Sequence, residues 1–259
     1  MVTVTTFQTM DEAASALSDN SKYIAGGTLV MRAVNYGDQS FDNVVRVLQP
    51  DRAISSDGQG TRIGAGATMS DILANRDVDF LHPIARMIGG PAIRNMATIG
   101  GNLFAENPYG DMAAALLTLD AHVHTSAGQT LPMDRFLQDR DNFRGIVTSV
   151  VVPRVQSGSF AFRKVSRVKP KGVSVMTVSV LMRAGEPRVV FGNMGPTALR
   201  APSAERALAQ RLSQGAIEAA CSACTDGLAP AEDSLASVWY RNEVAPVHLR
   251  RLLTEGGLR

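Results

Sequence analysis

The pattern of apolar and polar positions changes character near residue 145. Before it, short strand-like and helix-like stretches alternate. Residues 10–17 have the spacing of a short helix, with Thr9 placed as its cap and Glu12 at the third helical position, the signature of a capping box. Residues 22–25 read as a strand and Gly26-Gly27 as a turn. Residues 29–36 read as a helix that Thr28 caps and Gly37 stops. An apolar strand over 44–48 leads into a polar, turn-rich stretch, 50–60, where a subdomain boundary is expected. A strand over 61–65 enters Gly64-Ala65-Gly66-Ala67-Thr68 and a helix around 70–75. A helix over 80–88 is closed by Gly89-Gly90-Pro91. The apolar run 112–119 is helical, 121–125 is a strand, Gly128 marks a turn and 134–141 is a polar connection.

Beyond residue 145 four strands are predicted, over 146–152, 160–165, 173–182 and 188–191, as an antiparallel meander. Helices follow over 203–211, 214–226 and 246–253. Strands followed by helices in one block imply an α+β subdomain. No internal repeat and no low-complexity segment interrupts the chain.

Composition narrows the class. The 259 residues suffice for one large domain or two to three small ones, and 45% hydrophobic with 19% charged residues fits an ordinary globular protein. The net charge of +2 is spread along the chain, which argues against a dedicated nucleic-acid surface. Only Cys221 and Cys224 are present, so a disulfide framework is not expected and a reducing compartment is. No apolar run reaches membrane-span length, and the first residues lack the basic and apolar regions of a secretory signal. A cytoplasmic location is expected.

Candidate chemistry concentrates in two glycine segments. Tyr23-Ile24-Ala25-Gly26-Gly27-Thr28 runs on into Leu29 and Val30, and Thr98-Ile99-Gly100-Gly101-Asn102 precedes Asp111. Each is expected to set adjacent glycines between a strand and a helix start, where backbone N–H groups approach a ligand closely and a helix N-terminus favours negative charge. Two such loops suggest a clamp on a diphosphate; taken singly, each is also an ordinary tight turn. Asp111 is placed as a helix N-cap, a role compatible with offering one carboxylate oxygen to a sugar or ribityl hydroxyl. Gly64-Ala65-Gly66 lacks the third glycine of a dinucleotide fingerprint.

Other motifs carry less. His122 and His124 share one strand face but have no third ligand nearby, so a solvated face is favoured over a metal site. Cys221 and Cys224 sit in an alanine-rich helical context and read as small buried hydrophobes; two thiols cannot hold an iron–sulfur cluster alone. Arg163, Lys164, Arg167, Lys169 and Lys171 form a basic run that is either solvated or closes on a bound anion, with Lys164 the candidate. Phosphate-loop, serine-elbow and zincin motifs are absent.

Together, Ala25-Gly26-Gly27-Thr28, Thr98-Ile99-Gly100-Gly101-Asn102 and Asp111 resemble the FAD-binding medium subunit of the molybdenum hydroxylases. That family includes carbon monoxide dehydrogenase, xanthine dehydrogenase and related N-heterocycle, nicotine and aldehyde dehydrogenases. The likeness runs nearly end to end. It takes in Ile93-Arg94-Asn95, the segment from Phe162 to Arg167, and Tyr240-Arg241 with Val244-Ala245-Pro246-Val247 and Leu249.

The resemblance implies an α+β chain with an FAD-binding fold of the PCMH/vanillyl-alcohol-oxidase type. It divides as two small α+β subdomains, 1–55 and 56–155, plus a C-terminal α+β domain, 156–259, with an antiparallel sheet and helices. By the same resemblance Tyr23, Ile24, Ala25, Gly26, Gly27, Thr28, Leu29 and Val30, with Thr98, Ile99, Gly100, Gly101 and Asn102, wrap the diphosphate and adjoining sugar of FAD. Asp111 makes a polar FAD contact. Ile88 and Lys164 flank the cofactor, with Arg163 as the alternative to Lys164. Thr28 stands where some members carry His or Asn, which alters the side chain there and not the backbone.

The implied complex carries a molybdenum cofactor on a large subunit and two [2Fe-2S] clusters on a small one, as a heterotrimer or its dimer. This chain then passes electrons to an external acceptor and needs no acid–base catalyst of its own. A self-contained flavin oxidoreductase and a non-catalytic nucleotide-binding assembly subunit are the alternatives.

Overall fold

Thr9 and Glu12 close the expected capping box on the first helix: the Thr9 hydroxyl accepts from the Glu12 amide, and the Glu12 carboxylate accepts from the Thr9 amide. The computed structural model describes residues 2–168, 172–210 and 212–258. They group into two units. One comprises the chain up to Ala105 together with Ala121–Val152; the other comprises Glu106–Asp120 together with the chain from Pro153 onward.

The first unit holds two sheets. β1 (Thr3–Phe7), β2 (Ser21–Tyr23) and β3 (Asn43–Val47) form a parallel sheet in the order β1-β3-β2, joined through α1 (Met10–Ser15) and α2 (Val30–Asn35). Val45 and Val47 pack with Ala13 and Ile146 beneath it. β1 was not foreseen from the pattern, because four of its five residues are exposed and no apolar alternation marks it. Thr28 does not cap α2. The cap position is Leu29, which makes no side-chain cap bond. Gly37, at φ 80°, ends the helix as expected.

The second sheet runs β4-β5-β8-β6-β7, from β4 (Ile54–Ser56), β5 (Gly60–Gly64), β6 (His122–Thr125), β7 (Thr130–Pro132) and β8 (Val147–Pro153). Around it lie α3 (Met69–Ala74), α4 (His82–Met87), α5 (Pro91–Arg94), α6 (Ile99–Asn102) and α8 (Met133–Asp139). The polar stretch 50–60 thus contains an edge strand, β4, and the expected connection 134–141 contains α8. Phe136 and Leu137 of α8 are buried, and Phe136 packs edge-on to Phe104 and Phe143 at 5.5 and 5.4 Å. The helix expected over 80–88 is a 3-10 turn, Arg76–Leu81, followed by the shorter α4.

The strand over 146–152 was expected to open the meander. It is β8, and it pairs with β6 in this sheet.

The second unit centres on an antiparallel sheet, β12-β11-β10-β9, made of β9 (Phe160–Ser166), β10 (Ser174–Leu181), β11 (Arg188–Gly192) and β12 (Leu199–Arg200). On one face lies α7 (Asp111–Thr118), all of whose residues are buried. Against the other pack α9 (Pro202–Leu208), α10 (Gln214–Ala223) and α11 (Val238–Glu255), around Met176, Val178, Val180, Leu208, Leu249 and Leu252.

α11 starts well before the predicted residue 246, with Ser237 accepting from the Tyr240 amide and Pro246 inside the helix. A proline favours a helix start, which is why the pattern suggested one there. Inside the helix it leaves the carbonyl four residues back without its usual donor; that residue, Asn242, is exposed to solvent.

Candidate functional site

Strand parity and close backbone packing assemble two groups of candidate residues, one in each unit. In the first unit, Tyr23 ends β2, Ile24 to Leu29 make the turn and Val30 opens α2. Burial pushes the Tyr23 hydroxyl pKa up, which keeps it protonated. Gly27 lies at φ 77°, a left-handed conformation that costs glycine little. Gly26 has a different reason to be glycine. A Cβ there would overlap the Met96 carbonyl oxygen, so the first glycine turn lies directly against the backbone that leads into the second.

The second glycine segment is not a loop between a strand and a helix. Thr98 is the cap of the one-turn helix α6, and its hydroxyl accepts from the Gly101 amide at 3.0 Å. Ile99, Gly100, Gly101 and Asn102 form α6 itself. The segment is laid along residues 65–69: the Met69 amide donates to Ala97 at 2.9 Å, Ile99 to Ala67 at 2.8 Å and Gly100 to Ala65 at 3.0 Å. A Cβ on Gly100 would sit 2.7 Å from that of Ala65. Gly64 and Gly66 are likewise close-packed on the Asp51 backbone, which accounts for these glycines without a dinucleotide fingerprint. Both α2 and α6 are short, and the amides of α6 are donated within the protein, so anion binding here would rest on backbone N–H groups of the first glycine turn rather than on a helix macrodipole.

These residues fit a diphosphate group by their chemistry. From Tyr23 to Val30 and from Ile88 to Ala105 there is no carboxylate to repel phosphate oxygens. Ile88 is buried at the end of α4, and the next residues are held by Arg94, whose guanidinium donates to the Gly89 carbonyl at 2.6 Å. Asn95 accepts from the Ser70 hydroxyl at 2.6 Å.

In the second unit, Asp111 is the first residue of α7 rather than its cap, which is Gly110. Its carboxylate is buried and both oxygens are engaged. Lys164 Nζ donates to Oδ2 at 2.7 Å, and Ser174 Oγ donates to Oδ1 at 2.5 Å. Asp111 and Lys164 expose only 4% and 6% of their side chains. An acidic group in the first turn of α7 also matches the helix dipole.

Lys164 and Arg163 point to opposite faces of β9. Lys164 stands opposite Thr177 and turns toward α7; Arg163 stands opposite Val178 and turns toward α11, where it meets Glu255 at 3.3 Å. The pairing with Asp111 therefore belongs to Lys164. Arg167 donates to the Ser234 carbonyl, and Lys169 and Lys171 lie outside the described residues.

His122 and His124 are half-buried on β6. Among the described residues no cluster of three or more His, Cys, Asp or Glu could hold a metal ion. Cys221 and Cys224 are free, buried thiols. Burial, then the neighbouring Cys221, pushes the Cys224 thiol up to about 12. No helix among the described residues is long and apolar enough to cross a membrane.

Sequence reasoning missed Ser174 and Asn193, whose side chain donates to the Ser174 carbonyl at 2.7 Å. Neither residue type is distinctive in a strand or turn, and no spacing links them to Asp111.

Residues 1–155 match the family described as the FAD binding domain in molybdopterin dehydrogenase, and residues 162–256 match the CO dehydrogenase flavoprotein C-terminal domain. The glyceraldehyde dehydrogenase medium chain of Sulfolobus acidocaldarius is 25% identical over 263 residues, covering 93% of this chain and 92% of that protein. A putative xanthine dehydrogenase FAD-binding subunit of Escherichia coli is 25% identical over 274 residues, covering 95% and 93%. Among solved structures, carbon monoxide dehydrogenase from Hydrogenophaga pseudoflava, in a form lacking the Mo-pyranopterin moiety of the molybdenum cofactor, aligns with a TM-score of 0.87. That alignment is at 24% identity and covers 100% of this chain and 98% of that one.

Proposed function

The chain belongs to the family of the FAD binding domain in molybdopterin dehydrogenase, and we propose that it is the FAD-carrying electron-transfer subunit of a heteromeric molybdenum-containing hydroxylase. As an oxidoreductase subunit it leaves substrate oxidation to another chain. The observation that carries this reading is the packing of the first glycine turn, at Gly26, on the Met96 backbone that leads into the second segment, in stretches free of carboxylates. Residues 23–30 and 98–102 would wrap the diphosphate and adjoining sugar, with backbone N–H groups of the first turn facing the phosphates, since the amides of Ile99 to Asn102 are donated within the protein. Asp111 and Lys164 would supply polar contacts, and Ile88 an apolar one. Bound FAD supplies the redox chemistry; the residues of this chain bind it, orient it and set its electrostatic surroundings.

Partners follow from the same reading. One large subunit would hold the molybdenum cofactor and one small subunit two [2Fe-2S] clusters, in a heterotrimer or its dimer. The two cysteines are free, buried thiols and cannot supply the four thiolates of a [2Fe-2S] cluster. The same reduced thiols support a cytoplasmic location.

The test is a visible absorption spectrum of the gently purified chain, then release and chromatography of any cofactor. FAD in near-stoichiometric amount is expected. No flavin, even after incubation with added FAD, would leave the glycine segments as structural turns and overturn the reading.

A further inference from the structure

β10 carries an irregularity that decides where Ser174 points. Ser174 pairs with Ser166 of β9, but Met176 pairs with Val165, so two steps along β10 match one step along β9. Val175 is the extra residue of a β-bulge. From Met176 onward the faces alternate regularly. Met176, Val178 and Val180 join the core under α9 to α11, while Ser179 bonds to Thr118 of α7. Strict alternation would put Ser174 on the same face as Met176. The bulge turns it over to the α7 face, where its hydroxyl meets Asp111 at 2.5 Å.

A bulge leaves carbonyls out of the ladder, and two side chains take them up. Asn193 Nδ2 donates to the Ser174 carbonyl at 2.7 Å, and Arg241 Nε donates to the Val175 carbonyl at 3.0 Å. Arg241 is buried and further fixed by Asp233 at 2.7 Å and the Ala236 carbonyl at 2.9 Å. The two carbonyls that follow the Ser174 Cα are thus both held by side chains.

We propose that Ser174, presented by the Val175 bulge, is a positioning residue for FAD: it fixes the orientation of the Asp111 carboxylate and, through it, of the Lys164 ammonium. This rests on the reading of Asp111 and Lys164 as cofactor contacts. With one carboxylate oxygen held by Ser174, the other is aimed at Lys164. Without the hydroxyl, the carboxylate is free to rotate and both charges lose their fixed places.

The experiment is titration of the full flavin-stripped chain with FAD, read by absorbance and by visible circular dichroism of the bound flavin. Wild type is compared with Ser174→Ala, Ser174→Thr, Asp111→Asn and the Ser174→Ala/Asp111→Asn pair. Losing a hydrogen bond to a charged group predicts about tenfold weaker FAD binding in Ser174→Ala, with an altered flavin dichroism. Ser174→Thr, which keeps the hydroxyl, is expected to restore the wild-type dichroism. In the Asp111→Asn background Ser174→Ala should add little, because it acts through the carboxylate.

Wild-type affinity and dichroism in Ser174→Ala, or effects that add fully in the double variant, would overturn the proposal while leaving FAD binding intact. A wild-type chain that takes up no FAD would overturn the functional reading as well. Should Ser174→Ala fail to fold, Ser174→Cys, similar in volume with a poor donor, carries the same expectation.

Discussion

Lys164 Nζ lies 2.7 Å from Asp111 Oδ2, and the two side chains are almost wholly removed from solvent. They lie fifty-three positions apart along the chain. Removing one partner leaves an uncompensated buried charge, whose cost exceeds that of the pair itself. Lys164→Met is therefore expected to lower stability by about 3 kcal/mol, measured by denaturant unfolding of the flavin-free chain. Lys164→Met/Asp111→Asn should recover part of that loss. A single variant as stable as wild type would mean that the pair is solvated in solution.

Gly26 makes a sharper test of the first glycine turn. Gly26→Ala would drive a methyl into the Met96 carbonyl, whereas Gly90, at φ −87° with nothing near its Cβ position, tolerates one. Gly26→Ala should cost about 2 kcal/mol and Gly90→Ala under about 0.5 kcal/mol, read as melting temperatures. FAD content should fall in the first variant only.

Thr177 is buried in β10, and its hydroxyl has no hydrogen-bond partner among the described residues. Thr177→Val removes the unsatisfied group and keeps the shape. Stability should stay level or rise by about 1 kcal/mol. A clear loss on denaturant unfolding would mean that the hydroxyl is satisfied in solution.

Acid should loosen the link between Arg52 and α3. Arg52 donates to both Asp71 oxygens at 2.9 and 2.8 Å, and Asp71 also closes the Thr68 capping box. Burial pushes the Asp71 carboxyl up, but the Thr68 amide, Arg52 and the Thr68 hydroxyl together hold it below its ordinary 3.8. A carboxyl with a depressed folded-state pKa contributes stability that is present above 3.8 and lost as pH falls through the folded value. Asp71→Asn should accordingly lower stability at neutral pH and flatten the acid limb of a stability–pH profile.

Thiol chemistry offers a further check. Burial raises the Cys221 thiol and pushes Cys224 to about 12. At about pH 8 both remain thiols, and the thiol is the unreactive form. Alkylation should be slow in the native chain and consume two equivalents of reagent only after unfolding. Rapid native labelling would contradict the buried packing of α10.

The amino-acid sequence by itself determined the local elements whose signals are local. The Thr9 and Glu12 box, the Gly37 stop and the four-strand rhythm from residue 146 onward all rest on neighbours in the chain. The family was legible there too, in the two glycine segments and Asp111. Tertiary structure decided what depends on partners distant in sequence. β1 is exposed and strand-like only because β3 offers it a ladder, and α8 looks polar until Phe104 and Phe143 take Phe136 between them. The strand after Arg144 joined β6 because sheet membership follows pairing, not periodicity. Lys164 prevailed over Arg163 beside Asp111 through strand parity, and Ser174 reached the same carboxylate through a bulge. A one-residue shift in register reverses every side chain, and no periodicity in the sequence marks where that shift falls.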